Sequence, residues 1–387
     1  MADERKTSRQ IPTRGARLSE YDLVREILAK AFESPDESRL WDHLVRNDSS
    51  LEPEMVRVAL LDDRPVACTV VLPRRVIVRN RPVQGAVVTL VGCLPEHQRK
   101  GFGGATVQSA LTFMEQSGMA IGVLYGHPTY YPRFGFAPVI SRMATSVSVS
   151  NCLRQATAQD DVGKPQGPCL RPATERDYIW MLDLFNQQLA YPCSVQRTSE
   201  LWVWQPRNPV ALRVMAMSDE SGYAFVHEPA IQSSTNPEEK ILYVAEAACK
   251  EKSAAALMEG LAGMAKEAGA STVRLALPPD HPLCRLAFAL GGEEIRRPAT
   301  AGMAAVTQWS AVLPDGYSVS EDTLWFEGRP LLKAGRSLLT QLVYGYYDID
   351  DLLLLSSTER HAQPGVSRLS LDFPKSFPKW FEEPYWT

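Results

Sequence analysis

Val91-Gly92-Cys93-Leu94-Pro95-Glu96-His97-Gln98-Arg99-Lys100-Gly101-Phe102-Gly103-Gly104-Ala105 is the stretch on which the reading of this chain turns. Before it, Gly85 to Leu90 is small and β-branched, the pattern of a buried strand. After it, Ala105, Val107, Leu111 and Phe113–Met114 recur at helical spacing. Glycines between strand and helix let backbone N–H groups turn inward with no Cβ in the way. N–H groups gathered at a helix start attract anions, and the helix dipole adds to them. Arg99 and Lys100 add full charges. The arrangement suits a pyrophosphate.

The spacing excludes two common phosphate loops. A P-loop needs Gly, four residues, then Gly-Lys-Ser/Thr. A dinucleotide fingerprint needs Gly-x-Gly-x-x-Gly, and Gly101-Phe102-Gly103-Gly104 misses its third glycine. Gln98-x-x-Gly101-x-Gly103 instead resembles the Gln/Arg-x-x-Gly-x-Gly/Ala signature of the GNAT superfamily, the acyl-CoA-dependent N-acyltransferases. A second strand, Ile121 to Gly126, is followed by His127-Pro128-Thr129-Tyr130-Tyr131-Pro132-Arg133-Phe134-Gly135-Phe136. Tyr131-x-x-x-Gly135-Phe136 is similar to the tyrosine element of the same superfamily, in the same order and at the same separation.

Composition limits the alternatives. At 387 residues the chain is long enough for two or three domains. Hydrophobic residues at 45% and charged at 22% are those of a soluble globular protein. A net charge of -4 argues against nucleic-acid binding. The seven cysteines contain no Cys-x-x-Cys pair, which argues against zinc or a disulfide framework and fits a reducing compartment. No run approaches the ~18 apolar residues of a membrane span. The expectation is a cytoplasmic protein with no metal, no membrane and no nucleic acid among its partners.

Taken in order, residues 1–15 read as a loose head. Leu23, Ile27, Leu28 and Phe32 mark a helix, with Ser19 or Asp22 as its cap, and Trp41 and Leu44 a second. Val56–Leu61 turns at Asp62-Asp63-Arg64-Pro65 into Val66–Leu72, and a further hairpin leads into the Val88–Cys93 strand. A helix then crosses to Ile121–Leu124, so these two strands are expected to be parallel neighbours. A bulge in the central strand would splay the pair and open a wedge, with backbone at Val91 and Cys93 free to pair with a pantetheine arm. Met143–Val149 closes the domain, and residues 155–168 read as a linker.

Leu170-Arg171-Pro172-Ala173-Thr174-Glu175-Arg176-Asp177 then restarts the pattern of Arg17 to Phe32, and the elements follow in the same order. The chemistry does not repeat. Ala247-Ala248-Cys249-Lys250-Glu251-Lys252-Ser253-Ala254 replaces the glycine turn, and no tyrosine matches Tyr131. The chain thus divides into a catalytic domain (16–154), a linker (155–168), a degenerate copy (169–310) and a C-terminal module (311–387). The fold class is α/β with a mixed sheet.

Two GNAT-like repeats, only the first with motifs, followed by a small module, resemble the Eis-type (enhanced intracellular survival) N-acetyltransferases. The resemblance implies a third domain similar to sterol carrier protein type 2, seen in Leu338 to Tyr346, and a homo-oligomer, hexameric in that family. It implies acetyl-CoA as co-substrate, held by Val91, Cys93, Gln98, Arg99, Lys100, Gly101, Phe102, Gly103 and Gly104. It gives Tyr131 the role of acid and the chain's terminal carboxylate, Thr387, that of base. The family ends in an aromatic residue, whereas here Trp386 is penultimate. Ala86 to Cys93 holds no Asp or Glu, the superfamily's common alternative base; Glu382 and Glu383 are other carboxylates near the terminus. The first-helix region forms the acceptor wall in the superfamily, which makes Phe32, Glu33 and Trp41 candidates for contact with a small-molecule or peptide amine. The expected function is acetyl transfer to a primary amine by direct attack in a ternary complex; the alternative is a non-catalytic acyl-CoA sensor or scaffold.

Overall fold

The same ion pair opens both halves of the chain. Arg14 grips Glu20 through two hydrogen bonds of 2.8 and 2.7 Å, and Arg171 grips Asp177 with the same two lengths. Each pair ties a short strand, β1 (Thr13–Gly15) or β7 (Leu170–Pro172), to the 3-10 turn that starts a helix. The repeat read in the sequence therefore extends to a bidentate contact, the strong geometry for arginine and carboxylate. The computed structural model describes residues 11–78, 81–159, 169–188, 195–199, 212–231 and 240–344.

In the first half, α1 (Tyr21–Ala31) and α2 (Asp36–Asn47) precede β2 (Val56–Leu61), β3 (Arg64–Val78) and β4 (Arg81–Cys93). Neither Ser19 nor Asp22 caps α1; Glu20 occupies the cap position without a side-chain bond, because its carboxylate is spent on Arg14. The β2–β3 turn is Asp62-Asp63, both with positive φ (49° and 61°), as a two-residue hairpin turn requires. After β4 come α3 (Phe102–Gln116), β5 (Ile121–Tyr125), β6 (Ala137–Ser148) and α4 (Val149–Gln159). Residues 155–159 of the expected linker are the end of that helix.

The second half runs β7, α5 (Tyr178–Gln187), β8 (Val195–Gln196), β9 (Leu212–Met217), β10 (Gly222–Ile231), β11 (Lys240–Cys249), α6 (Ala254–Glu267), β12 (Thr272–Leu275), α7 (Pro282–Ala289) and β13 (Glu293–Val306). The C-terminal part adds a meander of β14 (Tyr317–Ser320), β15 (Thr323–Phe326) and β16 (Arg329–Lys333), then α8 (Arg336–Val343). The helix expected at Asp348–Leu355 and the aromatic tail lie outside the described residues.

Both halves share one mixed sheet, in the order β1-β2-β3-β4-β5-β13-β6-β12-β11-β10-β9-β7, with β8 on β3. Its centre is exchanged. β13, late in the chain, pairs with β5 through Gly302–Val306 and with β6 through Glu293–Ala304. β6 in turn reaches β12 through Thr145–Ser148. Each half thus borrows a strand from the other. α1 and α2 pack on one face of the first half and α3 on the other, and the C-terminal module joins the first core through Leu324, Leu332, Leu339 and Leu342. Gln341 donates to the carbonyl of Pro138 at 2.8 Å.

These contacts set the response to acid. Burial pushes His281 down to about 4, so it stays neutral in the fold while the unfolded chain protonates it near 6.5. Arg171 and Arg14 hold Asp177 and Glu20 below the ordinary carboxylate range. Falling pH therefore erodes stability in two steps: below about 6.5 as the unfolded state binds a proton at His281, then below about 4 as the depressed carboxylates are titrated. A melting-temperature series from pH 8 to 3 is expected to show both, with His281→Gln flattening the first and Asp177→Asn reducing the second.

Candidate active site

The pairing of β4 with β5 covers only Gly85–Val87 against Ile121–Val123. Beyond that the strands part. The cause lies in β4, which meets β3 at Thr89↔Val70 and next at Gly92↔Cys68, so three steps on one strand answer two on the other. Such a bulge bends and twists its strand. Leu90 takes φ 50°, a conformation costing a residue with a Cβ about 1–2 kcal/mol. Its buried side chain, packed into the main core, holds it there. Val91, within the bulge, has no register partner on β3 or β5.

The turn after β4 delivers the start of α3 beside this opening. Gly101 sits at the helix cap with φ 94°, and Arg99 at φ 59°. Gln98, Arg99, Lys100 and Gly101 are exposed, whereas Phe102 is buried and anchors the helix. Gln98 donates to the carbonyl of Cys93 at 3.2 Å, and Lys100 to that of Glu96 at 2.8 Å, which folds the turn around its own backbone. Inside, Thr69 donates to Thr106 Oγ1 (2.7 Å), which donates to the Gly103 carbonyl (2.9 Å). The result is a fixed helix N-terminus whose preceding turn, Gln98–Gly101, is exposed while Gly103 and Gly104 are partly covered by Tyr130 and Phe134, and its N–H groups suit an anion such as the phosphates of a coenzyme A.

Tyr131 is buried, edge-on to Tyr130 (5.0 Å) and Phe136 (5.9 Å), and its ring lies so close to Gly126 that a methyl there has no room. Burial, and next the neighbouring Tyr130, pushes its phenol well above 10. Cys93, half-buried, has its thiol raised by burial, so it is a neutral lining residue rather than a thiolate nucleophile. Tyr130, in the same cluster, is placed at the helix start: a Cβ on Gly103 would lie 3.2 Å from its hydroxyl oxygen and 3.9 Å from Cys93 Cβ. β13 closes the same cluster with Met303 and Ala305.

Residues 12–139 match the family model described as an acetyltransferase (GNAT) domain. The chain carries a GNAT acetyltransferase domain. The structure as a whole is similar to a GCN5-related N-acetyltransferase from Anabaena variabilis (15% identity, 97% of this chain and 98% of that one, TM-score 0.66). It is similar to Eis1 from Mycobacterium abscessus (18%, 92% and 95%, 0.63), and to an Enterococcus faecalis protein described as a probable N-acyltransferase (12%, 95% and 96%, 0.67). At these identities the likeness is one of fold, and it supports the tandem GNAT arrangement with an added module. No curated protein sequence matches the chain.

Around the GNAT domain the acceptor-side candidates fall in different places. Trp41 lies in the core, its indole N–H donating to the Tyr21 carbonyl at 3.2 Å and its ring edge-on to Tyr21 at 5.0 Å. Phe32 is half-buried at the end of α1, and Glu33 is exposed beside it. Asp36 pairs with Arg39. Thr387, Glu382 and Glu383 lie outside the described residues. No group of three or more ligating side chains able to hold a metal occurs among the described residues, and no described helix is long and apolar enough to cross a membrane.

The second half keeps the bulge and also a short parallel pairing, Ile241–Val244 against Thr272–Leu275, but its lining differs. β11 meets β10 at Glu246↔Phe225 and next at Val244↔Val226. Glu246 is buried there, held by Arg197 at 2.8 and 2.7 Å and by the Tyr223 hydroxyl at 2.8 Å. In the 3-10 turn before α6, Glu251 pairs with Arg285 of α7, and the helix begins directly after that turn, without the glycines that precede and open α3 in the first half. Two features of the site escaped the sequence. The β13 contribution is non-local. Tyr130 was visible next to Tyr131, but nothing in the spacing says which hydroxyl faces Gly103.

Proposed function

We propose that the chain is an acetyl-CoA-dependent N-acetyltransferase acting on a primary amine of a small molecule or peptide, by direct attack in a ternary complex. The supporting observation is the juxtaposition of the exposed Gln98–Gly101 turn at the start of α3 with the splay that the Leu90 bulge opens between β4 and β5. The coenzyme supplies a thioester carbonyl. The N–H groups from Arg99 to Gly104 and the charges of Arg99 and Lys100 hold its diphosphate, and the unpaired backbone at Val91, with that of Cys93, aligns its pantetheine. Backbone N–H groups near Cys93 polarise the carbonyl. A carboxylate, assigned to Thr387 with Glu382 and Glu383 as alternatives, takes the amine proton as the N–C bond forms. Tyr131 returns a proton to sulfur as the C–S bond breaks. A hexameric assembly in the cytoplasm is part of the same reading.

The test is thiol release from acetyl-CoA by the full-length chain across a panel of polyamines, aminoglycosides and lysine peptides. Turnover with at least one amine is expected, and appending residues after Thr387 is expected to lower it about a hundredfold. Coenzyme binding with no turnover on any amine would favour the sensor or scaffold reading, and an unaffected extended chain would remove Thr387 as base.

A further inference from the structure

The loop between β5 and β6 brings two polar groups to the start of α3. The hydroxyl of Tyr130 lies against Gly103, between the helix N-terminus and Cys93. The guanidinium of Arg133 stacks on the Tyr130 ring at 3.9 Å and lies 4.9 Å from the Phe134 ring centre. Phe134 itself packs on Gly104: a Cβ there would be 3.2 Å from its Cζ. Tyr130 is half-buried and Arg133 exposed. The stacked cation fixes the ring, and the ring fixes where the hydroxyl points.

The second half supplies an internal comparison. There too an arginine from the element after the second parallel strand, Arg285, reaches back to the turn before the crossover helix, and its partner is the chain's own carboxylate, Glu251. In the GNAT domain the matching 3-10 turn, Pro95–His97, also holds a carboxylate, the exposed Glu96, but the four residues between that turn and the helix, Gln98–Gly101, contain none. Gln98–Gly101 have no counterpart in the second half, where the helix begins directly after the turn, and with Arg133 they gather cations at a helix start, a place that favours a bound anion.

We propose that Tyr130 and Arg133 form the second wall of the coenzyme site, the Tyr130 hydroxyl donating to a phosphate oxygen where coenzyme A passes from the helix start into the wedge, and Arg133 holding that hydroxyl and adding its charge. This rests on the acetyl-CoA reading above. It divides the adjacent tyrosines: Tyr131 faces the reacting sulfur and Tyr130 binds the nucleotide end.

The experiment is calorimetric titration of full-length protein with coenzyme A, beside acetyl-CoA kinetics, for wild type, Tyr130→Phe, Arg133→Met and Arg133→Lys. A hydrogen bond to a charged phosphate predicts about tenfold weaker binding in Tyr130→Phe. The loss should appear in KM for acetyl-CoA rather than kcat. Arg133→Met should weaken binding similarly and flatten its salt dependence, and Arg133→Lys should restore part of both. Melting temperatures report any folding defect separately. Wild-type binding with Tyr130→Phe and Arg133→Met both within twofold of it overturns the proposal and leaves the acetyl-CoA reading standing. A loss in kcat with KM unchanged also overturns it, by making Tyr130 part of the chemistry. Wild-type protein that takes up no coenzyme A overturns both.

Discussion

Tyr131→Phe is expected to lower kcat by about a hundredfold or more while coenzyme A affinity stays near wild type, the range for removal of a positioned general acid. The phenol is buried on three sides by Tyr130, Phe136 and the backbone at Gly126, so removing one oxygen leaves the packing intact. Its raised pKa does not disqualify it. Burial raises a thiol as well, as it does for Cys93 beside the opening. A thiolate expelled into a partly buried site is likewise a stronger base than in water, which favours taking a proton from the phenol. The sign also fixes the pH profile. A phenol raised above 10 keeps its proton across the working range, so no fall in kcat below pH 10 belongs to Tyr131. A Tyr131→Phe enzyme with undiminished kcat would show that the proton comes from elsewhere.

Glu246→Ala is expected to cost about 3–5 kcal/mol of folding stability, the penalty for leaving a buried charge without its partner. Arg197 and Glu246 are both buried, bonded through two contacts, with Arg197 also stacked 3.8 Å above the Phe185 ring. The double replacement Arg197→Met with Glu246→Leu removes both charges and should cost much less than the single. Because β13 pairs with β5, the damage should not stay in the second half: coenzyme binding and far-ultraviolet dichroism are expected to be lost in one transition. Chemical denaturation of the three proteins tests this. A single variant no less stable than the double would mean that the cluster is open to water.

Much of the fold was written locally. The glycine turn, the parallel β4 and β5, the hairpin at Asp62-Asp63 and the return of the whole pattern after residue 169 all follow from short-range spacing, and the structure has each of them. The bulge was posed as a condition; Leu90 shows it, although leucine is not a residue that announces a positive φ. The central exchange was not legible, because Gly302 meets Tyr125 across most of the chain and Glu293–Val306 carries no pattern distinguishing an exchanged strand from one that stays at home. The core position of Trp41 was not legible either, because its indole hydrogen bond to the Tyr21 carbonyl joins two helices whose packing neither helix's spacing shows.

The exchanged strands bear on how the chain is made. On the ribosome the GNAT domain emerges first, with one edge of β5 lacking its eventual neighbour until residue 306 has been synthesised. An apolar edge of that kind invites pairing with other nascent chains. The copy without catalytic motifs is therefore a delayed component of the first one's architecture, and a gene truncated before codon 306 would encode an incomplete enzyme rather than a smaller one.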